Sequence, residues 1–165
     1  MPPLENHCKS WTTDLHALKR FADWRATDEG GARPWSAVVF PYRRAGASAM
    51  IPSDASGVYL IVHSLDIPAI RSDRSDRLRT VVYVGQGHIR SRYKKHVSGD
   101  TNRRLQLVLD SLASMPDSSF AFYWKLHAHV RDRDYVEGLI YDALGPVGND
   151  IQPPRVRLND PIPAG

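Results

Sequence analysis

Two tyrosines, an arginine and a histidine fall at positions from which they could act together on a phosphodiester. Tyr59 lies in GVYLIV (57–62) and Tyr83 in TVVYVG (80–85), both short, apolar and β-branched, the composition of strands. Residues two apart on a strand share a face, so Gly57 points with Tyr59 and Gly85 with Tyr83, and antiparallel pairing could bring the phenols together. Arg92 and His96 follow in HIRSRYKKHV, which has helical spacing and a stop at Ser98 and Gly99; four residues apart, they face one direction. A cation and an imidazole are thereby delivered beside two phenols, with glycines that let a phosphate backbone come close. Taken singly, each residue has an ordinary structural reading: strand aromatics for the tyrosines, a surface charge for Arg92, a packing or capping group for His96.

The elements that must position these groups can be read along the chain. WTTDLHALKRFADWR (11–25) has the spacing of an amphipathic helix, with Thr12 or Thr13 as its N-cap; AVVF (37–40) reads as a short strand, and AGAS (45–48) opens a loop. Residues 1–50 are expected to form an N-terminal extension whose Trp11, Trp24 and Trp35 cover the core. Between the two motif strands, HSLDIPAIRSDRSDRLR reads as a loop or an elaborated hairpin tip. Thr101 is the expected cap of a helix TNRRLQLVLDSLASM, which Pro116 follows. FAFYWKLHAHV (120–130) alternates as a third strand, with His127 and His129 on one face, structural or DNA-facing rather than zinc ligands. RDRDYVEGLIYDAL (131–144) is a final helix closed by Gly145 and Pro146; Tyr135, Leu139 and Leu144 are expected to serve the core while Glu137 projects from another stripe towards the strands. The expectation is a small mixed α/β (α+β) domain over 51–150, a three-stranded antiparallel sheet flanked by helices, followed by an extended Pro-rich tail at 151–165.

GVY, then YVG, then R-Y-K-K-H nine to thirteen residues beyond Tyr83, then a helical Glu137 and Asn149 twelve residues later, resemble the GIY-YIG nuclease family over about residues 55–150. Both central Ile positions are Val here, and 23 residues separate the two tyrosines, a longer spacer that resembles the restriction-enzyme branch. The resemblance implies a DNA endonuclease with one active site. Tyr59 and Tyr83 take the places of the motif tyrosines, Arg92 of the helical arginine, Glu137 of the metal-binding glutamate, Asn149 of the late asparagine, and His96 of a position often held by histidine. By that reading Tyr59 is the general base, helped by nearby positive charge or a relay through His96, and Arg92 grips the scissile phosphate. Glu137 holds a single Mg²⁺ or Mn²⁺, Tyr83 orients the water or donates to a phosphoryl oxygen, and Asn149 anchors the site.

Composition fits such a partner. The chain of 165 residues carries a net charge of +4, but from Arg71 to Arg104 ten Lys and Arg stand against three Asp, a local balance of +7. Arg71, Arg74, Arg77, Arg79, Arg90, Lys94, Lys95, Arg103 and Arg104 are therefore the candidate DNA-backbone contacts. The lone Cys8 excludes an internal disulfide and any Cys-based metal site, and neither a leader-like N-terminus nor a membrane-length apolar stretch is present, so a soluble, cytoplasmic protein is expected. A homodimer through residues 1–50 is one route to double-strand cleavage. The rival readings are a non-specific nuclease acting as a toxin or in repair or mobility, and a DNA-binding module without turnover.

Overall fold

GVYLIV is apolar without alternation, the pattern of a strand covered on both faces, and it lies within the sheet between two neighbours. The structure, a computed structural model, describes residues 35–46, 48–66 and 77–150. In chain order these form β1 (Ser36–Val39), a 3-10 turn (Ser48–Met50), β2 (Ser56–Asp66), β3 (Arg77–His88), α1 (Ile89–Val97), α2 (Arg103–Ala113), β4 (Ser118–Leu126) and α3 (Val130–Leu144). The expected helix at 11–25, with Trp11 and Trp24, and the tail at 151–165 lie outside the described residues.

The fold is mixed α/β, with one antiparallel sheet in the order β1-β4-β2-β3. Four strands replace the expected three, because the AVVF segment pairs with β4 as an edge strand. Val38 and Phe40 turn inward while Ala37 and Val39 face solvent, an alternation too short to announce which sheet it joins. One face of the sheet carries Tyr59, Ile61, Phe120, Phe122 and Trp124 and is covered by α1 and α2. Their buried stripes, Ile89–Tyr93–His96–Val97 and Leu105–Val108–Leu109–Leu112, follow helical spacing. The other face carries Val58, Leu60, Val62 and Val84, packed against Ile140 and Leu144 of α3 and against Trp35.

Several boundaries differ from the sequence reading. β2 runs on to Asp66 and β3 begins at Arg77, so the two ends of the expected loop or hairpin tip are paired strand, and residues 67–76 lie outside the described residues. β4 ends at Leu126, near the point where its partner β2 begins; the His127 N–H then donates to the Ser56 carbonyl (3.0 Å), and His129 becomes the N-cap residue of α3. The two histidines therefore do not share a strand face. On α3 the buried positions are Ile140 and Leu144, whereas Leu139 is exposed. The cap of α2 is Asn102, whose side-chain oxygen accepts the Leu105 N–H (2.7 Å), rather than Thr101.

A bulge decides which way β3 presents its tyrosine. Tyr59 lies opposite Gly85 and Ile61 opposite Tyr83, but Val62 pairs with Val81, so Val82 is the extra residue on β3. Val81 faces the α3 side while Val82 and Tyr83 both pack on the α1/α2 side, which puts Tyr83 on the face of Tyr59. No helix among the described residues is long and apolar enough to cross a membrane.

Two histidines are buried on that same face. His63 is 1 % exposed, against the Phe120 ring (5.2 Å between centroids), with its Nε2 2.6 Å from the Ser118 hydroxyl. Burial lowers its pKa from 6.5 to about 4. The unfolded chain therefore takes up the proton first, and the stability held above about pH 6.5 is lost as the pH falls towards 4. Between pH 6.5 and 5 the loss is about 2 kcal/mol for this one group. Urea unfolding at the two pH values should show His63→Gln to be less stable at the higher pH but less sensitive to acid by about that amount.

Candidate active site

The site is built where β3 ends and α1 begins. Tyr59, 1 % exposed, lays its ring across Gly85 on the neighbouring strand: a Cβ there would sit 2.5 Å from the Tyr59 hydroxyl and 2.8 Å from the Tyr83 ring. Only a glycine lets both phenols occupy this face. The ring centroids of Tyr59 and Tyr83 are 6.0 Å apart, and His96 lies 5.5 Å from the first and 5.2 Å from the second. The Tyr59 hydroxyl is 2.8 Å from His96 Nε2, and His96 Nδ1 is 2.9 Å from the Thr101 hydroxyl. Tyr59, Tyr83 and His96 thus converge as their spacing suggested.

Arg92, one turn before His96, is exposed and folds back over the strand end, where a Cβ on Gly87 would lie 3.2 Å from its Nε. Glu137 arrives from the opposite side of the sheet. Gln86 lies opposite Val58 and faces α3, so its Nε2 donates to Glu137 Oε2 (2.9 Å) and also to Asp134 Oδ1. The Gly85–Gln86–Gly87 strand end therefore has phenols, imidazole and guanidinium on one side and two carboxylates on the other.

The electrostatics follow from burial. Burial holds the Tyr59 phenol well above its ordinary value of 10.0, with Tyr83 adding to the shift and Arg92 opposing it. Tyr83, partly buried, is also raised, mainly by desolvation. Burial, then the nearby Arg92 and Lys95, lowers His96 from 6.5 to about 4, so its imidazole is neutral at pH 7. Glu137 is pushed up from 4.5 to about 7, first by burial, with Asp134 contributing and the Gln86 hydrogen bond and Arg92 opposing. A half-buried carboxylate beside a second one, both drawn to one donor, offers oxygen ligands of the kind a hard divalent cation takes.

Asn149 has a different position. Its Oδ1 accepts the Val84 N–H (3.0 Å) and its Nδ2 donates to the Val84 carbonyl (2.8 Å), while the Gly148 N–H donates to the Val82 carbonyl at the bulge (2.7 Å). The side-chain amide thus imitates one further strand residue along the outer edge of β3, between Tyr83 and Gly85.

The basic residues divide. Arg79, Lys94, Lys95 and Arg103 are exposed, with Lys95 3.7 Å from Asp100. Arg90 is tied to the Ile51 carbonyl (2.6 Å) and Arg104 to the Val147 carbonyl (2.7 Å), which gives both a structural task. Arg71 and Arg74 lie outside the described residues, as does the side chain of Arg77. Sequence reasoning missed Arg43 and Arg44, which line a surface groove with Lys94 and Ser98 on the outer side of α1. It also missed Gln86, Asp134 and Thr101. A polar residue between two glycines and a carboxylate one helical turn before Glu137 were the available signals for the first two.

Replacing Asn149 by Ala removes both bonds to Val84 and leaves a buried N–H and C=O without those partners. Each such group costs about 1–3 kcal/mol. Thermal unfolding of Asn149→Ala should show a loss of at least about 2 kcal/mol, together with faster amide exchange at Val84. No family model, no curated protein and no solved structure matches the chain, so what this site can do rests on its own chemistry.

Proposed function

We propose that the chain is a divalent-metal-dependent DNA endonuclease acting through a GIY-YIG type of site. The observation that carries this reading is the Tyr59–His96 hydrogen bond, with Tyr83 and Arg92 beside it and Glu137 reaching the same strand end. Phosphodiester hydrolysis needs a proton acceptor for water, positive charge at the phosphoryl oxygens and neutralisation of the leaving oxygen.

A buried phenol of raised pKa is a poor standing base, but it can pass a proton on. As water gives its proton to the Tyr59 oxygen, Tyr59 hands its own to the neutral Nε2 of His96. No free phenolate has to form, and the charge comes to rest on an imidazolium. Tyr83, the more exposed phenol, orients the water, and Arg92 presents its planar fork to the phosphate. Glu137 with Asp134 would hold Mg²⁺ or Mn²⁺, which supplies Lewis-acid stabilisation of the phosphate and the leaving 3′ oxygen when bound. Asn149 hydrogen-bonds to the Val84 backbone and so acts by fixing the strand that carries Tyr83. The exposed Arg79, Lys94, Lys95 and Arg103, with the groove lined by Arg43 and Arg44, offer contacts to the DNA backbone.

Supercoiled plasmid should be cut in the presence of Mg²⁺ and remain intact with EDTA. Tyr59→Phe and Glu137→Gln should fold normally by circular dichroism yet cut at least about a hundredfold more slowly. Glu137→Gln should still shift DNA on a gel, because the lost negative charge relieves repulsion with phosphate. Wild-type cleavage rates in both variants would refute the reading. Substituting Ala at Arg71, Arg74, Arg77 and Arg79 should weaken DNA binding and flatten its salt dependence, and an unchanged slope removes that stretch from the interface.

A further inference from the structure

We infer that Thr101 is a positioning residue that selects the tautomer of His96, on which the proposed proton relay rests. The sequence folds it there by a tight reversal. Ser98 and Gly99 close α1, with the Ser98 N–H on the Lys94 carbonyl (3.1 Å) and the Gly99 N–H on the His96 carbonyl (3.1 Å). Gly99 has φ +84, and the Thr101 N–H donates back to its carbonyl (3.0 Å). This turn brings the Thr101 hydroxyl to 2.9 Å from His96 Nδ1. The neighbouring Asn102 caps α2, so the Thr101 hydroxyl is not engaged in holding the Leu105 N–H.

The direction of the hydrogen bonds follows from burial. Tyr59 is 1 % exposed and its hydroxyl proton has two acceptors inside the protein, the Tyr83 oxygen and, at 2.8 Å, His96 Nε2, of which the imidazole nitrogen is the stronger base. Thr101 is only partly buried, so its own proton can be given to solvent while its oxygen accepts from the imidazole. Nδ1–H therefore donates to Thr101, and Nε2 carries the lone pair that faces Tyr59. When the relay runs, Tyr59 gives its proton to Nε2 and takes one from water. The resulting imidazolium then donates from both nitrogens, to the Tyr59 and Thr101 oxygens. Thr101 keeps its proton throughout. Its task resembles that of the third group in a nucleophile–histidine triad, which fixes the ring and its tautomer without exchanging a proton.

The test combines a spectroscopic readout with a kinetic one. In ¹⁵N-histidine-labelled protein, long-range ¹H–¹⁵N spectra at pH 7.5 should show His96 with a protonated Nδ1 and a bare Nε2. Thr101→Val keeps the shape but removes the acceptor, so the population should move towards protonated Nε2, and Thr101→Ser should restore the wild-type pattern. With Mg²⁺ and saturating DNA, Thr101→Val should cut about tenfold or more slowly at unchanged DNA affinity, with Thr101→Ser near the wild-type rate. A protonated Nε2 in the wild type, an unmoved tautomer in Thr101→Val, or a moved tautomer with an unchanged rate each overturns the inference. If the wild type does not cut DNA at all, the endonuclease reading fails, while the spectra still decide what Thr101 does to His96.

Discussion

The arrangement depends on how the outer edge of β3 is held. An edge strand leaves every second peptide group without a partner strand, and a bulge weakens the ladder further. Here the bulge at Val82 and the edge-facing N–H and C=O of Val84 are both taken up by two residues from the end of the described chain, Gly148 through its N–H and Asn149 through its amide. That closure fixes the parity of the strand. Shifted by one residue, Tyr83 would turn to the α3 face and Gln86 to the α1 face, and neither the phenol pair nor the carboxylate clamp could form.

Parity also explains how opposite chemistries share a small space. The phenols and His96 are set in the apolar layer under α1, where desolvation keeps all three neutral. The carboxylates of Asp134 and Glu137 hang from a helix on the other layer and meet a neutral amide rather than a cation. At Gly85–Gln86–Gly87, where the strand has little side-chain bulk, the two layers come within electrostatic reach, as the mutual influence of Glu137, Tyr83 and Arg92 indicates.

Much of this was legible from residue types. Both tyrosines lie on strands of strong β-composition, Tyr59 opposite Gly85 and Tyr83 opposite Ile61, and Arg92 and His96 follow on a helix with one apolar stripe, so local pattern and site agree. The bulge was not legible, because Val81 and Val82 are chemically alike and parity is set by pairing with β2. Thr101 looked like a helix cap, yet Thr and Asn compete for that task side by side, and tertiary position gave it to Asn102. The AVVF strand was legible but its place in the sheet was not, because four residues with two inward side chains carry no information about a partner some eighty positions away.

Tyr59, the reactive phenol of the proposed relay, is also a structural residue. Its ring stacks on Phe122 (5.1 Å), which in turn stacks on Phe40 (6.5 Å), so the phenol is the outer member of an aromatic column through the core. Losing the ring would open a cavity, whereas losing only the oxygen would leave the packing intact. This makes the position narrow in evolutionary terms. A related chain without the proposed chemistry could drift to Phe here without unfolding, and to little else, so a phenylalanine at this place would mark a fold kept for its packing alone.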